Sequence, residues 1–290
     1  MNNAHTQLDG PRGKKLFCQS WVPQHNPRAN IIIAHGLAEH SGRYEHVAND
    51  LCDAGYAVYA LDHLGHGRSE GERCVVKKFN DYVMPLRKFV LSIKKQSPNT
   101  PVFVLGHSMG GLIVGTYLLD FQADVDGAIL SAPAVMGRRQ PSLGAIIKLL
   151  FTAIFSPTTG VLQLDAKGVS RVPAVVQAYI DDPLVYNGPI PAGLMLAMSK
   201  AMKQLLQKAP SISLPLLILQ GEQDALVHPD GAKRLYERAA SVDKQIELFE
   251  PSYHEVFNEP EYSQAKTIML NWLDQQLAVV TSSARTAQTA

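Results

Sequence analysis

The feature that most limits what this chain can fold into is a set of short apolar runs that hardly alternate. Asn30–Ala34, Ala57–Leu61, Val102–Leu105, Gly127–Leu130 and Leu216–Leu219 are apolar at nearly every position, and with Gln245–Phe249 they read as strands. A strand with one wet face alternates polar and apolar residues, whereas one that is apolar throughout is covered on both faces. Stretches of helical length separate these runs: Tyr44–Ala54, Asn80–Gln96, Gly111–Phe121, Pro229–Ala240 and Glu261–Leu277. Strand–helix repetition of this kind predicts an α/β fold, a mainly parallel central sheet with helices on both faces. Lys15–Val22 reads as one more strand, antiparallel and near the sheet edge.

The rhythm breaks between about Ala134 and Ala209, a stretch far longer than a strand-to-strand crossover needs. It predicts an inserted helical cap, 134–209, on a core made of 1–133 and 210–280, with 281–290 as a loose polar tail. Within the cap, Leu194–Gln207 is helical in pattern, and Leu143–Phe155 is apolar on nearly every side. Such a helix is either buried against the core or turned toward lipid. In the second case Ile147, Leu150 and Phe151 are the contact residues and Lys148 snorkels toward headgroups. The run is shorter than the about 18 to 20 residues that span a bilayer.

Composition narrows the function classes. Hydrophobic residues at 46% and charged residues at 18% exclude a disordered chain, and a net charge of +1 supplies no field to attract nucleic acid. The 3 cysteines show no Cys-x-x-Cys spacing, and the first fifteen residues hold no apolar signal region. A cytoplasmic protein, at most peripheral at a membrane, is expected. The sequence does not set the oligomeric state.

The chemistry is concentrated at strand ends. Gly106-His-Ser-Met-Gly110 contains Gly-x-Ser-x-Gly between a buried strand and an apolar helix, the setting of a sharp elbow that lifts a serine Oγ above a sheet. A serine hydroxyl is a weak nucleophile at neutral pH and needs a histidine base held by a carboxylate. Asp224 follows the strand Leu216–Leu219 and His254 follows Gln245–Phe249, so both are expected at the same sheet edge as Ser108. The order Ser108, Asp224, His254 fits this architecture. His35-Gly36, after the first apolar strand, is placed to aim a backbone N–H at a developing oxyanion. Asp62 is a weaker candidate acid because it precedes the nucleophile, and His63 with His66 lacks a full ligand set for a metal. No cofactor or metal is expected.

His35–Tyr44, Asp62–Arg73, Gly106–Gly111, Asp181-Asp-Pro-Leu184 and Tyr253-His254 together resemble the monoacylglycerol lipases and related lysophospholipases of the α/β-hydrolase fold, over about Gly10 to Leu277. The resemblance implies Ser108, Asp224 and His254 as the catalytic triad and the N–H groups of Leu37 and Met109 as oxyanion donors. It implies that Glu39, Arg43 and the cap residue Tyr179 line the alcohol end of a site that splits a monoacylglycerol into glycerol and fatty acid. Glu39 and Arg43, four apart, also admit a plain ion pair with each other. Ala38 departs from the family, which commonly has Gly there. The alternatives are a lysophospholipase or general carboxylesterase of the same fold, and a non-catalytic lipid receptor on a hydrolase scaffold.

Overall fold

The computed structural model describes residues 2–138 and 142–289, the last seven by backbone alone. Arg139, Gln140 and Pro141 of the expected cap, Met1, and Ala290 of the expected tail lie outside the described residues. The chain runs β1 (Asn2–Asp9), β2 (Lys15–Val22), β3 (Asn30–Ala34), α1 (Glu45–Asp53), β4 (Ala57–Leu61), α2 (Asn80–Gln96), β5 (Val102–His107), α3 (Met109–Phe121) and β6 (Gly127–Ser131). It continues through α4 (Leu143–Phe155), β7 (Gly160–Leu162), α5 (Pro173–Asp181), β8 (Ile190–Pro191), α6 (Ala192–Lys208), β9 (Leu216–Gly221), α7 (Pro229–Arg238), β10 (Lys244–Phe249) and α8 (Tyr262–Thr289).

Eight strands form one sheet in the order β1-β2-β4-β3-β5-β6-β9-β10. The pairs from β4 to β10 are parallel, and β1 and β2 are antiparallel to their neighbours. Apolar residues at every position of β3 serve two cores. Ile32 and Ala34 face a cluster with Leu86 of α2 and Leu112 of α3, while Ile31 and Ile33 face Leu51 of α1 with Trp272 and Leu273 of α8. The predicted strands and helices of this core form at nearly the expected bounds, and Lys15–Val22 forms the antiparallel strand β2.

Three elements differ from the sequence reading. The outermost strand is β1, which has solvent on both faces and therefore carries no apolar alternation to betray it. The connection between β6 and β9 contains a short ribbon, β7 paired with β8, where the sequence shows no strand. The expected tail from Thr281 is instead helical as far as Thr289. Its Ala, Gln, Ser and Thr residues continue a helix already nucleated upstream, although the apolar stripe stops at Leu277. The apolar run 143–155 forms α4 with the expected bounds, capped by the Ser142 hydroxyl. None of its residues is buried: Leu149, Thr152 and Ala153 are half-covered, and the other apolar side chains face solvent. Among the described residues no helix is long and apolar enough to cross a membrane.

Candidate active site

β5 ends at His107, and α3 starts at Met109, so the chain reverses direction at one residue. That residue, Ser108, has φ 52° and ψ −116°, a conformation that L-residues avoid. The reversal is possible because of the flanking glycines. A Cβ on Gly106 would strike the Gly110 carbonyl, and one on Gly110 would strike the carbonyl of Ala34. Ser108 is pinned from two sides, its N–H donating to the Ser131 carbonyl at 3.0 Å and its carbonyl accepting from Ala134 N–H at 2.9 Å. Strain held in place by surrounding hydrogen bonds projects the half-buried Oγ beyond the carboxyl ends of the parallel strands.

The turns after β9 and β10 bring Asp224 and His254 to that point. His254 Nε2 lies 2.8 Å from Ser108 Oγ, and His254 Nδ1 lies 2.7 Å from Asp224 Oδ2. The Asp224 carboxylate is buried and further fixed. Its Oδ1 accepts the N–H groups of Leu226 at 2.8 Å and Val227 at 3.0 Å, and its Oδ2 accepts Gln220 Nε2 at 3.1 Å. Burial alone would push this carboxyl up, but the His254 charge and these donors outweigh it and hold the group below the ordinary carboxylate value. For His254, burial pulls the imidazole down, yet the charge and hydrogen bond of Asp224, aided by Glu255 and Glu39, leave it above its ordinary value. An imidazole whose cationic form is stabilised by a buried carboxylate is suited to take a proton from a hydroxyl.

The N–H of Met109 is the first of α3 and one of the donors that a helix start leaves free. Leu37 lies in the turn after β3, and among the described residues its N–H meets no acceptor. Ala38, one residue on, has φ 68°, the left-handed region where glycine is easier than alanine. It is kept there by burial and by Tyr186 N–H, which donates to its carbonyl at 2.7 Å.

Glu39, Arg43 and Tyr179 sit together, with the polar atoms of Glu39 and Arg43 turned to each other and the Tyr179 ring against the guanidinium. Arg43 Nη1 donates to Glu39 Oε2 at 2.5 Å, so the pairing that the spacing admitted does form. Arg43 also grips Glu255 with both terminal nitrogens, at 2.6 and 2.7 Å, and its guanidinium lies 4.7 Å from the centre of the Tyr179 ring. Glu39 Oε1 accepts Gly36 N–H at 2.5 Å and the Tyr44 hydroxyl at 2.7 Å.

The sequence reading missed Glu255, Tyr44, Gln220 and His107. The signal for Glu255 was available, because a carboxylate directly after a histidine base shares its surroundings. His107 is buried beside the base, its ring 4.8 Å from that of His254, and burial together with the His254 charge lowers it to about 4. Asp62, the weaker acid candidate, is structural: its carboxylate accepts from Ser41 N–H and hydroxyl and from Arg68 N–H. His35, His63 and His66 cluster at the turn after β3, the ring centres of His63 and His66 lying 4.2 and 5.4 Å from that of His35. His35 Nδ1 donates to the Gly36 carbonyl at 2.8 Å and its Nε2 accepts His63 N–H at 2.9 Å, a role in bracing that turn.

A sequence model described as "Serine aminopeptidase, S33" matches residues 25–261. The chain is 39% identical to a monoacylglycerol lipase of Mycolicibacterium smegmatis over 91% of this chain and 94% of that protein. It is 35% identical to the human monoglyceride lipase over 92% of this chain and 89% of the relative. Among solved structures, the monoacylglycerol lipase of Paleococcus ferrophilus superposes with a TM-score of 0.79 at 32% identity, covering 90% of this chain and 99% of that one.

Proposed function

Because the chain belongs to the serine aminopeptidase S33 family of α/β-hydrolases, and within it to the monoacylglycerol lipases, we propose that it splits monoacylglycerols into glycerol and free fatty acid. It is a serine carboxylic-ester hydrolase, and the observation that carries the mechanism is the unbroken line Ser108–His254–Asp224 at 2.8 and 2.7 Å. In the proposed sequence His254 Nε2 takes the Ser108 proton as Oγ attacks the acyl carbonyl. The N–H groups of Leu37 and Met109 stabilise the oxyanion, each worth about 3 to 4 kcal/mol in sites of this type. Asp224, locked by three other donors, holds the imidazole with its proton on Nδ1 and stabilises the cation. The imidazolium then protonates the departing glycerol oxygen, and the same histidine activates the water that releases the fatty acid from Ser108.

Residues 134–209 serve in this reading as a cap over the site. Tyr179 supports it, since this cap residue is buried against Arg43 at the edge of the active-site turns. Glu39 and Arg43 shape the alcohol end as an ion pair, with the Tyr179 ring packed against the guanidinium. Lipid reaches the cap through α4, whose Ile147, Leu150 and Phe151 are 58%, 39% and 63% exposed. A lysophospholipase or general esterase activity is not favoured over it, as relatives at 34 to 39% identity over 91 to 92% of this chain carry the names monoacylglycerol lipase or monoglyceride lipase. A non-catalytic receptor would have no need of a complete triad at hydrogen-bonding distance.

Ser108→Ala decides the reading. The variant is expected to keep the wild-type thermal midpoint while losing both monoacylglycerol hydrolysis and labelling by a fluorophosphonate. Near-normal turnover in this variant would remove Ser108 as nucleophile.

A further inference from the structure

Directly after the base stands a second buried carboxylate, Glu255, 5% exposed. Its oxygens accept Arg43 Nη1 at 2.6 Å, Arg43 Nη2 at 2.7 Å and Asn258 Nδ2 at 2.9 Å. Its backbone N–H donates to Val169 at 2.8 Å, and its carbonyl accepts Asn258 N–H at 2.7 Å. The guanidinium is shared, because the same Nη1 also reaches Glu39, whose other oxygen holds Gly36 N–H. Gly36 precedes Leu37. An unbroken run of charge-assisted hydrogen bonds thus joins the residue after the base to the residue before the proposed oxyanion donor.

The sheet makes no such connection. Those two turns leave β10 and β3, and β5, β6 and β9 lie between these strands. Four strand spacings of about 4.8 Å place the strand ends roughly 19 Å apart. Side chains reaching inward over the sheet edge join the two turns directly, and a planar guanidinium fork fixes direction as well as distance.

Charge adds a second effect. Two carboxylates against one guanidinium leave one uncompensated negative charge in a buried place. The other groups around His254 do not cancel it: Asp224 is itself anionic, His107 stays neutral, and Ser108, Tyr44 and Tyr179 carry no charge at neutral pH. Only the imidazolium formed during the reaction offsets it.

We propose that Glu255 is a positioning residue that, through Arg43 and Glu39, keeps the His254 turn in register with the oxyanion turn, and whose charge favours His254 as a cation. This rests on the triad reading given above. The test is the pH dependence of kcat and kcat/KM on a soluble p-nitrophenyl ester for wild type, Glu255→Gln, Glu255→Ala and Glu39→Gln.

Glu255→Gln keeps size and an acceptor oxygen but removes the charge. Its acid limb is expected to move down by about half a pH unit or more, with KM within about twofold of wild type. Glu255→Ala also frees the turn, and kcat is expected to fall about a hundredfold. Glu39→Gln removes the same surplus charge from the other end, so its limb moves in the same direction and carries the test if Glu255→Gln does not fold. A merely structural role would lower the thermal midpoint and leave the limb in place. An unmoved limb in both Gln variants, with wild type active and Ser108→Ala inactive, overturns the inference and spares the triad. A wild type without ester hydrolysis would fail the triad reading itself, and this inference with it.

Discussion

Replacing Ile147 and Phe151 of α4 with serine is expected to detach the protein from neutral bilayers while leaving its chemistry intact. The two side chains are 58% and 63% exposed, together slightly more than one fully exposed large apolar residue. Burying one such side chain contributes about 1.5 to 3 kcal/mol, so the pair contributes about 2 to 4 kcal/mol to lipid contact. At about 1.4 kcal/mol per factor of ten, the partition coefficient should drop about 30- to 700-fold. Helix propensity is not the cause, since serine ranks with isoleucine and phenylalanine. Neither side chain is packed in a core, so the fold should hold. Flotation with uncharged phosphatidylcholine vesicles measures the partition, and the rate on a short-chain water-soluble ester measures the chemistry. With a net charge of only +1, added salt should not release the wild type. Unchanged flotation would refute the lipid role of α4. An equal loss on the soluble ester would show that the substitutions damage the site instead.

Two further outcomes follow from the site. Asp224→Asn should lower kcat by roughly 10⁴-fold. With the carboxylate that raises His254 gone, any residual activity should show its acid limb at lower pH than wild type, read from a pH series in kcat/KM. Stability should fall on acidification below 6.5, the ordinary imidazole value, because burial above all lowers His63 to about 3 and His66 and His107 to about 4. In this window the unfolded chain binds protons that the folded one refuses, so stability is full above 6.5 and is lost as pH descends toward the folded values. Each histidine costs about 2 kcal/mol by pH 5. Urea midpoints at pH 7 and pH 5 check this, and equal midpoints would contradict it.

The core strands were legible because burial on both faces writes itself as uninterrupted apolar residues, and β3, Asn-Ile-Ile-Ile-Ala, shows this most plainly. Ser108, Asp224 and His254 could be named together because the elbow around Ser108 needs small neighbours and because chain order and strand ends limit the partners. β1 was hidden: an edge strand wet on both faces has no pattern to impose. The β7–β8 ribbon is only a few residues long and escaped for want of period. Glu39 and Arg43 could be named, but not their wiring, since nothing local reveals that Arg43 reaches 212 residues along the chain to Glu255. Ala38 was visible as a departure; its φ of 68° shows what the departure costs, a left-handed residue without glycine's freedom.

The attachments of the proposed cap divide it into two unequal parts. Its later half is bolted to the turns after β3 and β10: Val169 accepts Glu255 N–H at 2.8 Å, Tyr186 donates to Ala38 at 2.7 Å, and Asp182 meets His40 at 2.8 Å. Arg171 grips Glu259 at 2.7 Å and also Glu261. By contrast, α4 leans mainly on α6, within the cap itself. Anyone exchanging caps between scaffolds to alter which lipids are served should therefore treat 143–155 as the replaceable cassette. The 166–191 stretch belongs to the chassis, and transplanting it would disturb the machinery it is fastened to.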